Sequence, residues 1–131
     1  MIFLDTNIIS YYFNGNIIIK EKLLETIDND ENIYTTVINI YEILKGFRWK
    51  NNKKKEQQFK EFLKDVIIFT IDDDVINIAS DLYSSLRKVG KTIGDADILI
   101  AAIVIKNNGT LVSNNTKHYK NIKQLKLINW G

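Results

Sequence analysis

The sequence predicts an α/β domain in three layers, with a central, mostly parallel sheet of four to five strands flanked by helices. Three observations point there. Short apolar runs at Ile2 to Leu4, Ile33 to Thr36, Val66 to Thr70 and Thr110 to Ser113 alternate with helical patterns, and strand followed by helix, repeated, implies parallel strands joined by right-handed crossovers. Ile98 to Ile105 contains no polar side chain, so a helix there is buried on every side. Acids and amides gather where strands end and helices begin, the edge at which such sheets carry their sites.

The 131 residues suffice for one domain with a sizeable core, spanning 1–131. A net charge of +2 is too mild to announce a nucleic-acid partner by itself. The absence of cysteine excludes disulfides, thiolate zinc sites and a cysteine nucleophile. His118 is the sole histidine, which argues against a histidine-centred hydrolase. A metal would therefore be held by oxygen, and that points to Mg²⁺ or Mn²⁺. Ile2 to Leu4 is too short for a signal-peptide core, and no apolar run approaches a membrane span, so a cytoplasmic protein is expected.

In chain order, the first strand ends in Asp5-Thr6-Asn7, which leads into a helix over Ile8 to Phe13. Asn14-Gly15-Asn16 reads as a turn, and Ile17 to Ile27 as a second helix with Leu23, Leu24 and Ile27 inward. After the second strand, Val37 to Lys45 fits a helix closed by Gly46. Phe47 to Lys64 opens with basic residues and continues as a helix with Phe59, Phe62 and Leu63 on one side. Val75, Ile78, Ala79, Leu82, Tyr83 and Leu86 repeat at helical spacing behind Asp72-Asp73-Asp74, which supply the N-cap and first turn. Arg87, Lys88 and Lys91 suit the other end of that helix. The apolar helix stops at Asn107-Asn108-Gly109, the fourth strand stops at Asn114-Asn115, Leu127 to Asn129 forms a last edge strand, and Trp130 is a packing anchor.

The acids admit two readings. Asp5 can cap the first helix or stand at a strand edge as a ligand. Glu42, near Ile38, Tyr41 and Leu44, can complete a capping box with Asn39 or be a charge held for chemistry. Of Asp95 and Asp97, one carboxylate is enough to serve the helix N-terminus. Arg48, Lys50, Lys53, Lys54 and Lys55, with Trp49 among them, are either a solvated face or a contact for a phosphate backbone.

Asp5-Thr6-Asn7, a glutamate in the helix after the second strand, Ile93-Gly94-x-x-Asp97-x-x-Ile100-Ala101-Ala102, Leu111-Val112-Ser113-Asn114-Asn115 and the terminal Asn129-Trp130 occur in that order. Together they resemble the PIN-domain ribonucleases, and within them the VapC toxins of bacterial toxin-antitoxin modules. The resemblance covers essentially the whole chain and implies a PIN-like fold. It implies that Asp5, Glu42 and Asp97 form an acidic triad that binds Mg²⁺ or Mn²⁺ and hydrolyses RNA, leaving a 3′-hydroxyl and a 5′-phosphate. Ser113 and Asn7 are expected to support the carboxylates, with Asp95 and Asn115 also near them. Asn115 stands where many relatives have a fourth aspartate, so the site is less negative than theirs. Ile93-Gly94, Asn114-Asn115 and Asn129-Trp130 look most like the branch that cuts initiator tRNA in the anticodon loop.

Expected partners are RNA, a cognate VapB-like antitoxin and a second copy in a homodimer. The aromatic neighbourhood of Tyr11, Tyr12, Phe47 and Trp49 is the expected antitoxin surface, from which a basic side chain would reach Asp5 and Asp97. Two alternatives stand beside this reading. One is an inactive PIN-like module that only binds RNA or protein. The other is an aspartate-dependent phosphatase or receiver domain, against which stand Asn7 in place of a second aspartate, and Phe3 and Leu4 in place of a paired acid.

Overall fold

The computed structural model describes residues 1–29 and 31–131. Its elements run β1 (Ile2–Leu4), α1 (Thr6–Phe13), α2 (Ile17–Asp28), β2 (Ile33–Thr36), α3 (Val37–Trp49), α4 (Lys53–Leu63), β3 (Val66–Phe69), α5 (Asp73–Lys88), α6 (Asp95–Lys106), β4 (Thr110–Val112), α7 (Thr116–Tyr119) and β5 (Lys126–Ile128). No helix among the described residues is long and apolar enough to cross a membrane.

The five strands form one sheet in the order β3-β2-β1-β4-β5, with every neighbouring pair parallel. β1 is central. Phe3 is paired with Tyr34 on one side and Leu111 on the other, and Leu4 with Val112. Chain order moves outward from β1 to β3 and then restarts at β4 on the opposite flank. The carboxyl ends of β1 and β4 therefore border the point where strand order reverses, the place where open α/β sheets form a crevice.

Alternation along the strands builds the three layers. Phe3 and Leu111 face a core completed by Val75, Leu82 and Leu86 of α5, Ile100 and Ile103 of α6, and Tyr119. Leu4 and Val112 face a second core with Ile8 and Ile9 of α1, Ile19 and Leu23 of α2, Ile43 of α3 and Phe59 of α4. Helix α6 lies inside the first core, with Ile98 and Ile100 to Val104 buried, which accounts for its lack of a polar face. It ends where Asn108 takes φ 52°. Gly109 then passes so close to Phe3 that an added Cβ would lie 2.6 Å from the ring.

Several elements differ from the sequence expectation. In α2 the inward stripe is Ile19, Leu23 and Thr26, whereas Leu24 and Ile27 are about half exposed; Leu24 lies ~100° around the helix from Leu23, and Ile27 falls in the last turn. Helix α3 continues through Gly46 to Trp49, because Phe47 packs edge-on against Phe13 and Phe59 and holds the extra turn in place. β3 and β5 each end one residue earlier than expected. Helix α7 was not expected, since four residues are too few to show a period. Asp72 caps α5 by accepting from Val75 N, and Trp130 packs against the second core.

Candidate active site

The crevice is built from the backs of the strands outward. Asp5 follows β1 directly, and its N–H donates to the Val112 carbonyl at 2.9 Å, extending the β1–β4 pairing by one step. The residue is only 4% exposed. Its Oδ1 accepts from Thr6 N at 2.9 Å, so Asp5 does cap α1. The same carboxylate accepts from Asn39 Nδ2 at 3.1 Å through Oδ1, and from the Ser113 hydroxyl at 2.7 Å through Oδ2. One cap bond among three contacts leaves the capping role and the ligand role compatible.

Asn39 organises the α3 side. Thr36 is the N-cap of α3 and accepts from Asn39 N, while its hydroxyl donates to Asn39 Oδ1 at 2.6 Å. That fixes the amide so that Nδ2 serves both Asp5 and Thr6 Oγ1. Thr6 in turn donates its hydroxyl to Glu42 Oε1 at 2.6 Å. Since α3 begins at Val37 with Thr36 as cap, Glu42 stands in the second turn, too far along to close a capping box.

Asp97 approaches from the first turn of α6. Gly94 caps that helix with no side chain, so the acids beyond it interact with its positive end through charge alone. Asp97 Oδ1 accepts from the Tyr119 hydroxyl at 3.2 Å, and Oδ2 lies 3.3 Å from His118 Nδ1. Tyr119 is 1% exposed. Burial, followed by the charges of Asp5 and Asp97, pushes its hydroxyl far above the usual phenol range, so it stays protonated and donates to Asp97. The Asp5 carboxyl is likewise held above its usual range, chiefly by burial and further by the charge of Asp97, while bonds from Ser113 and Thr6 act the other way.

Other expected site residues fall further out. Asn7 turns to the β4 end, where its Oδ1 accepts a long bond from Asn114 N, and its buried Nδ2 has no partner among the described residues. Asn115 contributes its backbone, donating to Ser113 Oγ at 3.0 Å. Asp95 lines a separate hollow with Ile76, Ala79, Ser80, Tyr83, Ile98 and Leu99; two residues before Asp97 on a helix, it points ~200° away. Arg48 pairs with Glu56, and Lys55 donates to Asn14 Oδ1. Lys50 and Lys55 line a hollow of about 290 Å³ that also contains Glu42, Ser10 and Phe47. Trp49 is 88% exposed. Thr6, Asn39, His118 and Tyr119 were not identified as site residues from sequence. Only an amide three residues before Glu42, on the same helical face, could have signalled one of them.

The donor set suits a hard divalent cation. Its atoms are carboxylate oxygens, the charge of Asp97 acts against that of Asp5, and among the described residues no lysine or arginine pairs with Asp5, Glu42 or Asp97. Asp5 feels the charge of Asp97, and Glu42 is linked to Asp5 through Thr6, which donates its N–H to Asp5 and its hydroxyl to Glu42. No compact cage of three or more His, Asp or Glu side chains is present among the described residues.

The PIN domain family pattern matches residues 2–124. Ribonuclease VapC2 of Rickettsia felis is 34% identical over 129 residues, covering 97% of this chain and 96% of that protein. Ribonuclease VapC1 of Methanocaldococcus jannaschii is 30% identical over 126 residues, covering 96% and 84%. Among solved structures, VapBC2 from R. felis bound to a promoter DNA fragment matches with a TM-score of 0.89 at 32% identity, over the full length of both chains. VapBC-1 from nontypeable Haemophilus influenzae matches with a TM-score of 0.86 at 26% identity, covering 99% and 98%. The chain belongs to the PIN-domain family, and within it to the VapC group. That membership sets aside the phosphatase and receiver alternatives.

Proposed function

We propose that this chain is the toxin of a toxin-antitoxin pair, an endoribonuclease that requires Mg²⁺ or Mn²⁺ and is held inactive by a cognate antitoxin. The observation that carries the reading is the buried Asp5 carboxylate at the point of strand reversal, held by Asn39 and Ser113 within range of the charge of Asp97, with no lysine or arginine pairing with either acid among the described residues. The named relatives at 34% and 30% identity are ribonucleases, and the solved structures at 32% and 26% identity are VapBC assemblies.

Asp5, Asp97 and Glu42 would hold the ion. Bound there, it supplies the positive charge that polarises a phosphoryl oxygen and assists deprotonation of an attacking water. Ser113 and Asn39 fix the Asp5 carboxylate, Thr6 fixes Glu42, and Tyr119 fixes Asp97, so the acids are oriented before substrate arrives. The substrate assigned is tRNA, with the initiator tRNA anticodon loop as the cut site, and the active form is a homodimer.

The test is incubation of the purified protein with total tRNA in Mg²⁺ and in EDTA. Cleavage in Mg²⁺ that leaves 5′-phosphate ends, is lost in EDTA and is lost in Asp97→Asn is expected. Absence of metal-dependent cleavage, with the fold intact, would instead leave the chain an inactive RNA- or protein-binding module. Co-expression with the adjacent small reading frame should restore growth to cells making the toxin.

A further inference from the structure

A hollow of about 270 Å³ opens beside Asp97, lined by Thr92, Ile93, Gly94, Lys117, His118 and Asn121. Acids that hold a metal also repel an RNA backbone, so a substrate needs donors close to the reacting phosphate. Lys117 makes no ion pair among the described residues, whereas Lys55, near Glu42, is engaged with Asn14. The short helix that carries Lys117 and His118 is tied to the acids at both ends. Asn115 N donates to the Ser113 hydroxyl that serves Asp5, and Tyr119 is buried against Asp97. His118 Nδ1 reaches Asp97 Oδ2 directly.

We propose that this hollow is the subsite for the phosphate and ribose of the nucleotide adjoining the scissile bond. Lys117 and Asn121 hydrogen-bond that phosphate, and His118 sets its distance from Asp97. The proposal rests on the ribonuclease reading and extends it. The volume lies just under the ~300–1,000 Å³ of pockets that enclose whole small ligands, which suits one phosphate and sugar and excludes a base-paired duplex. Gly94 offers a way to close the hollow without disturbing a charge. It has φ −65° and ψ 154°, open to any residue, and a Cβ built there meets no atom within 4 Å.

His118 is the sole histidine, so its ring-proton resonances report on the hollow without assignment. Adenosine 5′-monophosphate and inorganic phosphate, each titrated into metal-free protein, are the two probes. The nucleotide is expected to move the His118 resonances saturably and to bind more tightly than phosphate. Lys117→Ala should weaken it about tenfold, the loss of one charge-assisted hydrogen bond, and Gly94→Leu should abolish the shift. With RNA, both variants should raise KM rather than lower kcat, and Lys117→Ala should reduce the salt slope of binding by about 1. Unmoved resonances, an equal shift in Gly94→Leu, or equal affinity for phosphate and nucleotide would each overturn the proposal. Nucleotide binding without RNA cleavage would support the hollow while removing the ribonuclease reading. RNA cleavage with KM unchanged in both variants would do the reverse.

Discussion

Ser113 donates its hydroxyl to Asp5 Oδ2 at 2.7 Å, joining the ends of β1 and β4 across 108 residues of chain. Both residues are buried, so the bond sets which way the carboxylate faces. Ser113→Ala should lower stability by about 1–3 kcal/mol, the penalty for an unsatisfied buried acceptor. It should also lower kcat, because Asp5 loses one of the bonds that orient it. Ser113→Thr should restore much of both. Urea unfolding and single-turnover cleavage measure the two effects, and a fully active Ser113→Ala would deny the bond a role in orientation.

The Asp5 carboxyl, raised above 3.8 by burial, yields a prediction of sign. The folded state keeps its proton to higher pH than the unfolded chain, so the native state binds more protons between 3.8 and the raised value. This contribution to stability must fall as pH rises through that window and then level off. Asp5→Asn should flatten the fall and stabilise the metal-free protein near neutral pH, while removing cleavage. Denaturation in EDTA across about pH 4 to 7 tests it; a wild-type contribution that grows with pH there would reverse the argument.

Metal should act in the opposite direction. An ion bound only by the folded state adds about 2.7 kcal/mol at a hundred times its Kd, so Mg²⁺ or Mn²⁺ should raise the melting temperature of the wild type and much less that of Asp97→Asn. Equal shifts in the two proteins would place the ion elsewhere.

The three consecutive acids at the start of α5 supply a control. Asp72 caps the helix through Val75 N and pairs with Lys106, so Asp72→Ala should lower stability by the loss of that cap with kcat intact. Asp73→Asn should alter neither by much. Cleavage lost in Asp73→Asn as fully as in Asp97→Asn would overturn the assignment of Asp5, Glu42 and Asp97.

Lys53, Lys54 and Lys55 form the first turn of α4, and Lys55 shares a hollow with Glu42. Replacing all three by glutamine should weaken RNA binding for any sequence and lower the salt slope by roughly 2 to 3, at ~0.7 to 0.9 for each phosphate contact. An unchanged slope would mean that RNA crosses the surface elsewhere.

The strands and the longer helices were legible because their residues obey a single period. Phe3 and Leu4 had to face opposite sides of a sheet, and Ile98 to Ile105 had to lie inside the protein. Gly46 misled because a glycine marks a helix end only where the backbone turns left-handed, and packing of Phe47 overrode that tendency. In the site, Asp5 and Asp97 could be read from their positions at element ends. Asn39 offered only its place one turn before Glu42, and Tyr119 offered nothing, since each acts through a bond to a residue far away in sequence, 34 and 22 positions off. Asp95 resembled Asp97 in everything except its direction around the helix.

The central place of β1 has a consequence for how the chain is made. Asp5 emerges from the ribosome almost at once, but its right-hand neighbour, β4, lies more than a hundred residues later. At ~5–20 residues per second, several seconds of synthesis separate the two. During that interval the crevice has one wall, Asp5 lacks Ser113, and Asp97 has no Tyr119 to meet. A nascent or truncated chain ending before β4 therefore contains all three acids but lacks the Ser113 and Tyr119 that hold Asp5 and Asp97, so the capacity to cut RNA arrives only with the last sixth of the polypeptide.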